Sequence, residues 1–137
     1  MDRRIPTERP SIALLVQHGI TEDALNPVLY GAEEEGVPIT LGRIDSQDTF
    51  AIAHQAATQA QLDIGVGISG HMAIITTRRL PQNRPYLITG FGVDPEADRA
   101  IGANAARLVK RTPLVMKHFI SIHDLLRSAQ TALENKV

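Results

Sequence analysis

Gly65-Val66-Gly67-Ile68-Ser69-Gly70 runs straight into His71-Met72-Ala73-Ile74-Ile75-Thr76-Thr77. The glycine spacing is that of a dinucleotide fingerprint, and the fold turns on whether it is one. The fingerprint works only where its last glycine opens a helix whose amides receive a pyrophosphate. Here a run rich in β-branched residues follows, and such residues favour a strand. Ser69-Gly70 therefore reads as a tight hairpin turn joining the strands Leu62–Ile68 and His71–Thr77.

Working outward from the hairpin, Ser11–Val16 is a short continuous apolar run that suits a strand buried on both faces. Gln17-His18-Gly19 turns the chain. Thr21 or Asn26 can cap the first helix, with Pro27 after Asn26 placed as a first helical residue. Leu25, Val28, Leu29 and Ala32 recur at helical spacing and mark its buried stripe. Gly36 supplies a left-handed residue at its end and Pro38 forbids continuation. Val37–Ile44 returns as a strand, and Asp45 or Ser46 caps a helix over Gln47–Ala60. Its alanines allow close approach to a sheet.

Downstream, Leu80–Pro85 is a loop and Tyr86–Phe91 a strand. Asp94-Pro95-Glu96 starts a helix with a cap, a proline and an acid where the dipole favours them. Ile101, Ala105, Leu108 and Val109 form its stripe, Lys110-Arg111 suit its negative end, and Pro113 stops it. Leu114–Ile120 fits either strand or helix. Ser121-Ile122-His123-Asp124 resembles a capping box, which predicts a last helix with Leu126, Ala129 and Leu133 on one face. The expected fold is α/β: one sheet layer of about four to five strands, mostly parallel with one hairpin, flanked by three to four helices. The expected organisation is a flexible arm over 1–10, the α/β domain over 11–113, and a helical extension over 114–137.

Composition narrows the function. The 137 residues suffice for one core, and with 4% aromatics and no Trp that core is built of Ala, Ile, Val and Leu. A formal net charge of -1 leaves no electrostatic footprint for nucleic acid. The absence of Cys excludes disulfides, thiol catalysis and Cys-ligated zinc. No run has transmembrane length and no signal-peptide core is visible, which points to a soluble cytoplasmic protein. The five histidines are scattered, and His118 and His123 lack the spacing of a helical metal pair. Ser69 leads into a strand rather than a helix, so it is no nucleophile elbow. Nothing assembles into an active site, and the expectation is a binding subunit rather than an enzyme.

Glu33-Glu34-Glu35 sits at the end of the first helix, where the dipole is negative and each exposed acid costs roughly 0.3–1 kcal/mol. Glu34 lies about 200° round from Ala32 and so faces away from the buried stripe. The triplet reads either as a solvated acidic corner or as a place where something positive arrives, a metal ion or a basic partner surface.

Three blocks together resemble the small subunit of the diol/glycerol dehydratase reactivase. They are Gly31-Ala32-Glu33-Glu34-Glu35-Gly36-Val37-Pro38, Gly65-Val66-Gly67-Ile68-Ser69-Gly70-His71-Met72, and Asn104-Ala105-Ala106-Arg107-Leu108-Val109-Lys110 with Pro113. The likeness spans Ser11–Pro113 and leaves Leu114–Val137 unexplained. It implies a chaperone-like factor that rescues adenosylcobalamin-dependent dehydratases holding a damaged cofactor. A large subunit binds and hydrolyses ATP. The small subunit, itself non-catalytic, takes the place of the dehydratase's medium subunit against the catalytic subunit, and damaged cobalamin leaves. By position, the resemblance makes Glu34 a ligand of a magnesium or calcium ion shared with the large subunit. It puts Glu33, Glu34, Glu35 and His71 at the partner interface. The expected place is the cytoplasm, including the interior of a bacterial microcompartment, with neither nucleic acid nor membrane as partner. The rival readings are a medium-subunit-like domain of a dehydratase itself and a stand-alone nucleotide-binding α/β domain. The first has little chain left for holding cobalamin, and the second lacks a phosphate-binding turn.

Overall fold

The computed structural model of the protein describes residues 10–116. Eight elements follow in order: β1 (Ile12–Gln17), α1 (Glu22–Glu34), β2 (Ile39–Ile44), α2 (Thr49–Gln59), β3 (Ile64–Ser69), β4 (Met72–Thr77), β5 (Leu87–Gly90) and α3 (Pro95–Lys110). The strands form one sheet in the order β2-β1-β3-β4-β5. β1 pairs in parallel with β2 and β3, whereas β3–β4 and β4–β5 are antiparallel. The sheet is therefore mixed, not mostly parallel. A parallel neighbour needs a crossover of a dozen or more residues, commonly a helix. The β4–β5 link, with Pro81 and Pro85, contains no helix, and β5 lies antiparallel beside β4. Three helices lie among the described residues; all of the expected arm over 1–10 except Pro10, and the helix from Ser121, lie outside them.

Strand order decides which face each helix covers. The chain passes from β1 to β2 on one side, then back across β1 to β3, so right-handed crossovers place α1 and α2 on opposite faces. Ile12, Leu14 and Val16 of β1 and Ile64, Val66 and Ile68 of β3 pack with Leu25, Val28 and Ala32 of α1 and Ile101, Ala105 and Ala106 of α3. The alternate positions meet α2, where Leu15, Ile52 and Ala56 form a smaller cluster.

This alternation explains the glycine-rich stretch. A Cβ on Gly65 would lie 2.6 Å from the Cα of Ala57, and one on Gly67 would lie 2.7 Å from the Cα of Ala53. The glycines are the floor on which α2 lies. The hairpin is present, but its two-residue turn is Gly70-His71, one position beyond the expected Ser69-Gly70, because Ser69 still pairs with Met72; Gly70 opens it at φ +55.

The cap of α1 is one of the two candidates, and the cap of α2 differs from expectation. Thr21, not Asn26, caps α1, accepting from Ala24 N, so Pro27 lies within the helix. Helix entry five residues earlier costs one backbone bond at Pro27 but gains a turn that buries Leu25. Asp48 caps α2, accepting from Ala51 N, while Ser46 accepts from Asp48 N. Asp94 caps α3 as expected.

The candidate partner-binding corner

The α1–α3 crossing positions the acidic triplet. A Cβ on Gly31 would lie 2.9 Å from Ala103 N, and a Cβ on Gly102 would lie 2.9 Å from Ala32 N. Bare backbone thus meets bare backbone, and the two helices run side by side in the same direction. Their negative ends lie together, and α3 contributes the cations that offset both.

Arg99 embraces Glu34: Nε donates to Oε1 at 2.9 Å and Nη2 to Oε2 at 2.5 Å. Arg107 Nε donates to Glu35 Oε2 at 3.0 Å, and Lys110 Nζ donates to Glu35 Oε1 at 2.6 Å. Lys110 also donates to the Glu35 carbonyl at 2.9 Å, satisfying one of the orphan acceptors at the end of α1. Val37 N and Gly36 N donate to Ala32 O and Glu33 O around Gly36 at φ +79. The hydrogen bond from Arg99 holds the Glu34 carboxyl below the ordinary carboxylate range. Lys110 first, then Arg107, does the same for Glu35. Glu35 is only 19% exposed against 57% for Glu34.

For Glu34 and Glu35 the cation that the helix dipole calls for is therefore supplied inside the chain. Lys110 was expected to serve the end of its own helix; it serves α1 instead, and Arg99 carried no visible signal because its partner is 65 positions away. Glu33 has no side-chain partner among the described residues and lines a groove with Leu29, Gly36, Val37, Pro38 and Ile39. Glu34 by itself does not fit a Mg2+ or Ca2+ ion. Such ions take about six or more oxygens. Arg99 occupies both Glu34 oxygens, and the described residues hold no group of three or more His, Asp or Glu suited to a metal.

His71 does not join this corner. It sits in the β3–β4 turn, at the opposite end of strands roughly 20 Å long. Its Nδ1 lies 3.1 Å from Phe91 O and its carbonyl accepts from Phe91 N at 2.8 Å, tying the hairpin to the loop before α3. Asp98 holds the same loop. Only 4% exposed, it accepts from Gly92 N at 3.1 and 3.2 Å, and burial pushes its pKa up. Sequence reasoning, which read the helix start from Asp94-Pro95-Glu96, did not single out Asp98. It also missed Asn104, which is fully buried and exchanges two hydrogen bonds with the Val115 backbone at 2.7 and 2.6 Å. A polar residue inside the stripe Ile101–Ala105 was the available signal.

The fold is that of a small α/β domain with a charged corner and no helix opening at its glycine-rich turn to cradle a phosphate. Residues 9–115 match the dehydratase medium subunit family, and the chain belongs to that family. Its relatives include small subunits of dehydratase-reactivating factors. The small subunit of the propanediol dehydratase-reactivating factor of Citrobacter freundii is 38% identical over 104 residues, 76% of this chain and 89% of the relative. The diol dehydratase-reactivating factor small subunit of Klebsiella michiganensis is 36% identical over 104 residues, 76% and 82% respectively. Among solved structures, the diol dehydratase-reactivating factor complexed with ADP and Mg2+ superposes with a TM-score of 0.72 at 34% identity, covering 79% of this chain and 99% of that one. A glycerol dehydratase reactivase gives 0.73 at 31% identity, covering 78% and 97%.

Proposed function

We propose that this chain is the non-catalytic small subunit of a chaperone-like reactivase that releases damaged cobalamin from an adenosylcobalamin-dependent diol or glycerol dehydratase. The observation that carries the reading is coverage: nearly the whole of a solved reactivase chain superposes on this domain at 34% identity. Nucleotide belongs to the large subunit, in keeping with a solved relative that is complexed with ADP and Mg2+. Gly65 and Gly67 lie under α2 rather than open to a phosphate, and Gly70 leads into β4 rather than into a helix. The small subunit acts by exchange, taking the medium subunit's place against the dehydratase catalytic subunit in the cytoplasm or a microcompartment.

In this reading the acidic corner faces the large subunit, and Glu34 contributes one ligand to a magnesium or calcium ion completed by the partner's oxygens. Arg99 must turn away for that to happen, so the ion and Arg99 compete for one carboxylate. Glu33 and Glu35 act electrostatically, and His71 marks a second contact at the far edge.

The test is reconstitution. Inactivated dehydratase is mixed with ATP, Mg2+, free adenosylcobalamin and the large subunit, with and without this chain. Recovery of diol dehydration that depends on this chain is expected. Equal recovery without it refutes the proposal. Full dehydratase activity when this chain replaces the medium subunit would establish the rival reading.

A further inference from the structure

β2 is an open edge of the sheet. Ile12 N donates to Pro38 O and His18 N to Ile44 O, both at 3.0 Å, so the even-numbered residues of β2 turn their backbone groups toward β1. Because successive residues alternate, Ile39, Leu41 and Arg43 turn their N–H and C=O groups outward. Among the described residues nothing takes them. Natural edges are blunted by lysines, bulges or covering segments. Here the one charged side chain of β2, Arg43, is folded back to donate to Ile20 O at 2.5 Å, leaving the edge bare. The edge begins at the groove lined by Leu29, Val37 and Ile39, with Glu33 at its rim. Glu33 is the member of the triplet that no described cation neutralises, and it stands at the negative end of α1.

We propose that an extended segment of the reactivase large subunit adds to β2 as a sixth strand. An apolar side chain of that segment enters the Leu29–Val37–Ile39 groove, and a Lys or Arg meets Glu33. The inference rests on the reading of this chain as a reactivase small subunit. Backbone pairing supplies affinity in strand addition, and the flanking pocket and charge supply the choice of partner.

Residue-resolved hydrogen exchange on the full chain, alone and with the large subunit, tests it. Free, the amides of Ile39, Leu41 and Arg43 exchange fast while those of Thr40, Gly42 and Ile44 are slow; in the complex the first three slow by about tenfold or more. Leu41→Pro removes an outward N–H without touching the β1 ladder and weakens the complex by about tenfold. Glu33→Lys weakens it similarly, by an amount that shrinks as salt rises. If Leu41→Pro does not fold, Glu33→Lys and the exchange data decide. A complex that leaves all three amides fast overturns the edge proposal alone. No complex at all overturns the small-subunit reading with it. Protection of these amides in the free chain, whether concentration-dependent through a second copy or constant through the chain's own termini, also overturns it.

Discussion

Gly102→Ala separates two accounts of α3. Helix propensity favours alanine over glycine by about 1 kcal/mol, so a helix judged by itself gains. In the fold, the new Cβ falls 2.8 Å from Val28 C and 2.9 Å from Ala32 N, and inside the van der Waals envelope of Val28 O. Comfortable contact between such atoms is about 3.5–4.0 Å, so α1 and α3 must part by roughly 1 Å. The obstacles are main-chain atoms of a regular helix, which cannot swing aside as a side chain can. Overpacking of this kind costs about 1–3 kcal/mol or more, and rigid neighbours put it at the upper end. Subtracting the propensity gain leaves a net loss of about 2 kcal/mol. For a domain of this size that lowers the melting temperature by roughly 5–15 °C, with a matching fall in the urea midpoint. Parting the helices also stretches Arg99 from Glu34, so the pair should loosen in the same variant. A Gly102→Ala protein as stable as the parent or more so would refute the close-contact account.

The acid limb of stability should depend on the α3 cations. Glu34 and Glu35 have folded pKa values below their unfolded values, so their stabilisation is present above the unfolded carboxylate pKa of about 4.3 and lost as pH falls through the folded values. Urea midpoints measured from pH 7 to 3 should fall less steeply in Arg99→Gln/Lys110→Gln; an unchanged slope refutes the assignment. Asp98 works with the opposite sign, because its folded pKa is raised by burial. Its stabilisation is full below the unfolded pKa and diminishes as pH rises through the folded one, so Asp98→Ala, which orphans Gly92 N–H, should cost about 1–3 kcal/mol at pH 4 and less at pH 7. Arg111 holds a left-handed backbone at φ 59 as the cap of α3. Arg111→Gly should stabilise by about 1 kcal/mol by removing that strain, and a lower midpoint would show that the arginine side chain contributes more than its backbone costs.

Much of the architecture could be read along the chain because its causes are local. A β-branched run after Gly70 excludes the nucleotide fingerprint whatever the surroundings, and Gly36 and Asp94-Pro95 end and start helices by their own backbone preferences. Local rules failed where several residues could serve equally. Thr21 and Asn26, or Asp45, Ser46 and Asp48, all have the oxygen that a cap needs. The choice fell to the one whose helix buries its apolar face, and burial is a property of the assembled layers. The direction of β5 was settled likewise, by a link that carries no crossover helix.

By itself the sequence determined an α/β chain, its hairpin, its α3 boundaries and the family likeness, because hydrophobic period, turn chemistry and motif spacing act over a few residues. Only the tertiary structure decided which cations Glu34 and Glu35 meet within the chain. Glu34 meets Arg99 and Glu35 meets Arg107 and Lys110 across 65 to 75 positions, through two helices brought together at Gly31 and Gly102. Coulombic attraction acts on distance in space, so a charge that looks unbalanced along the chain was already balanced by folding.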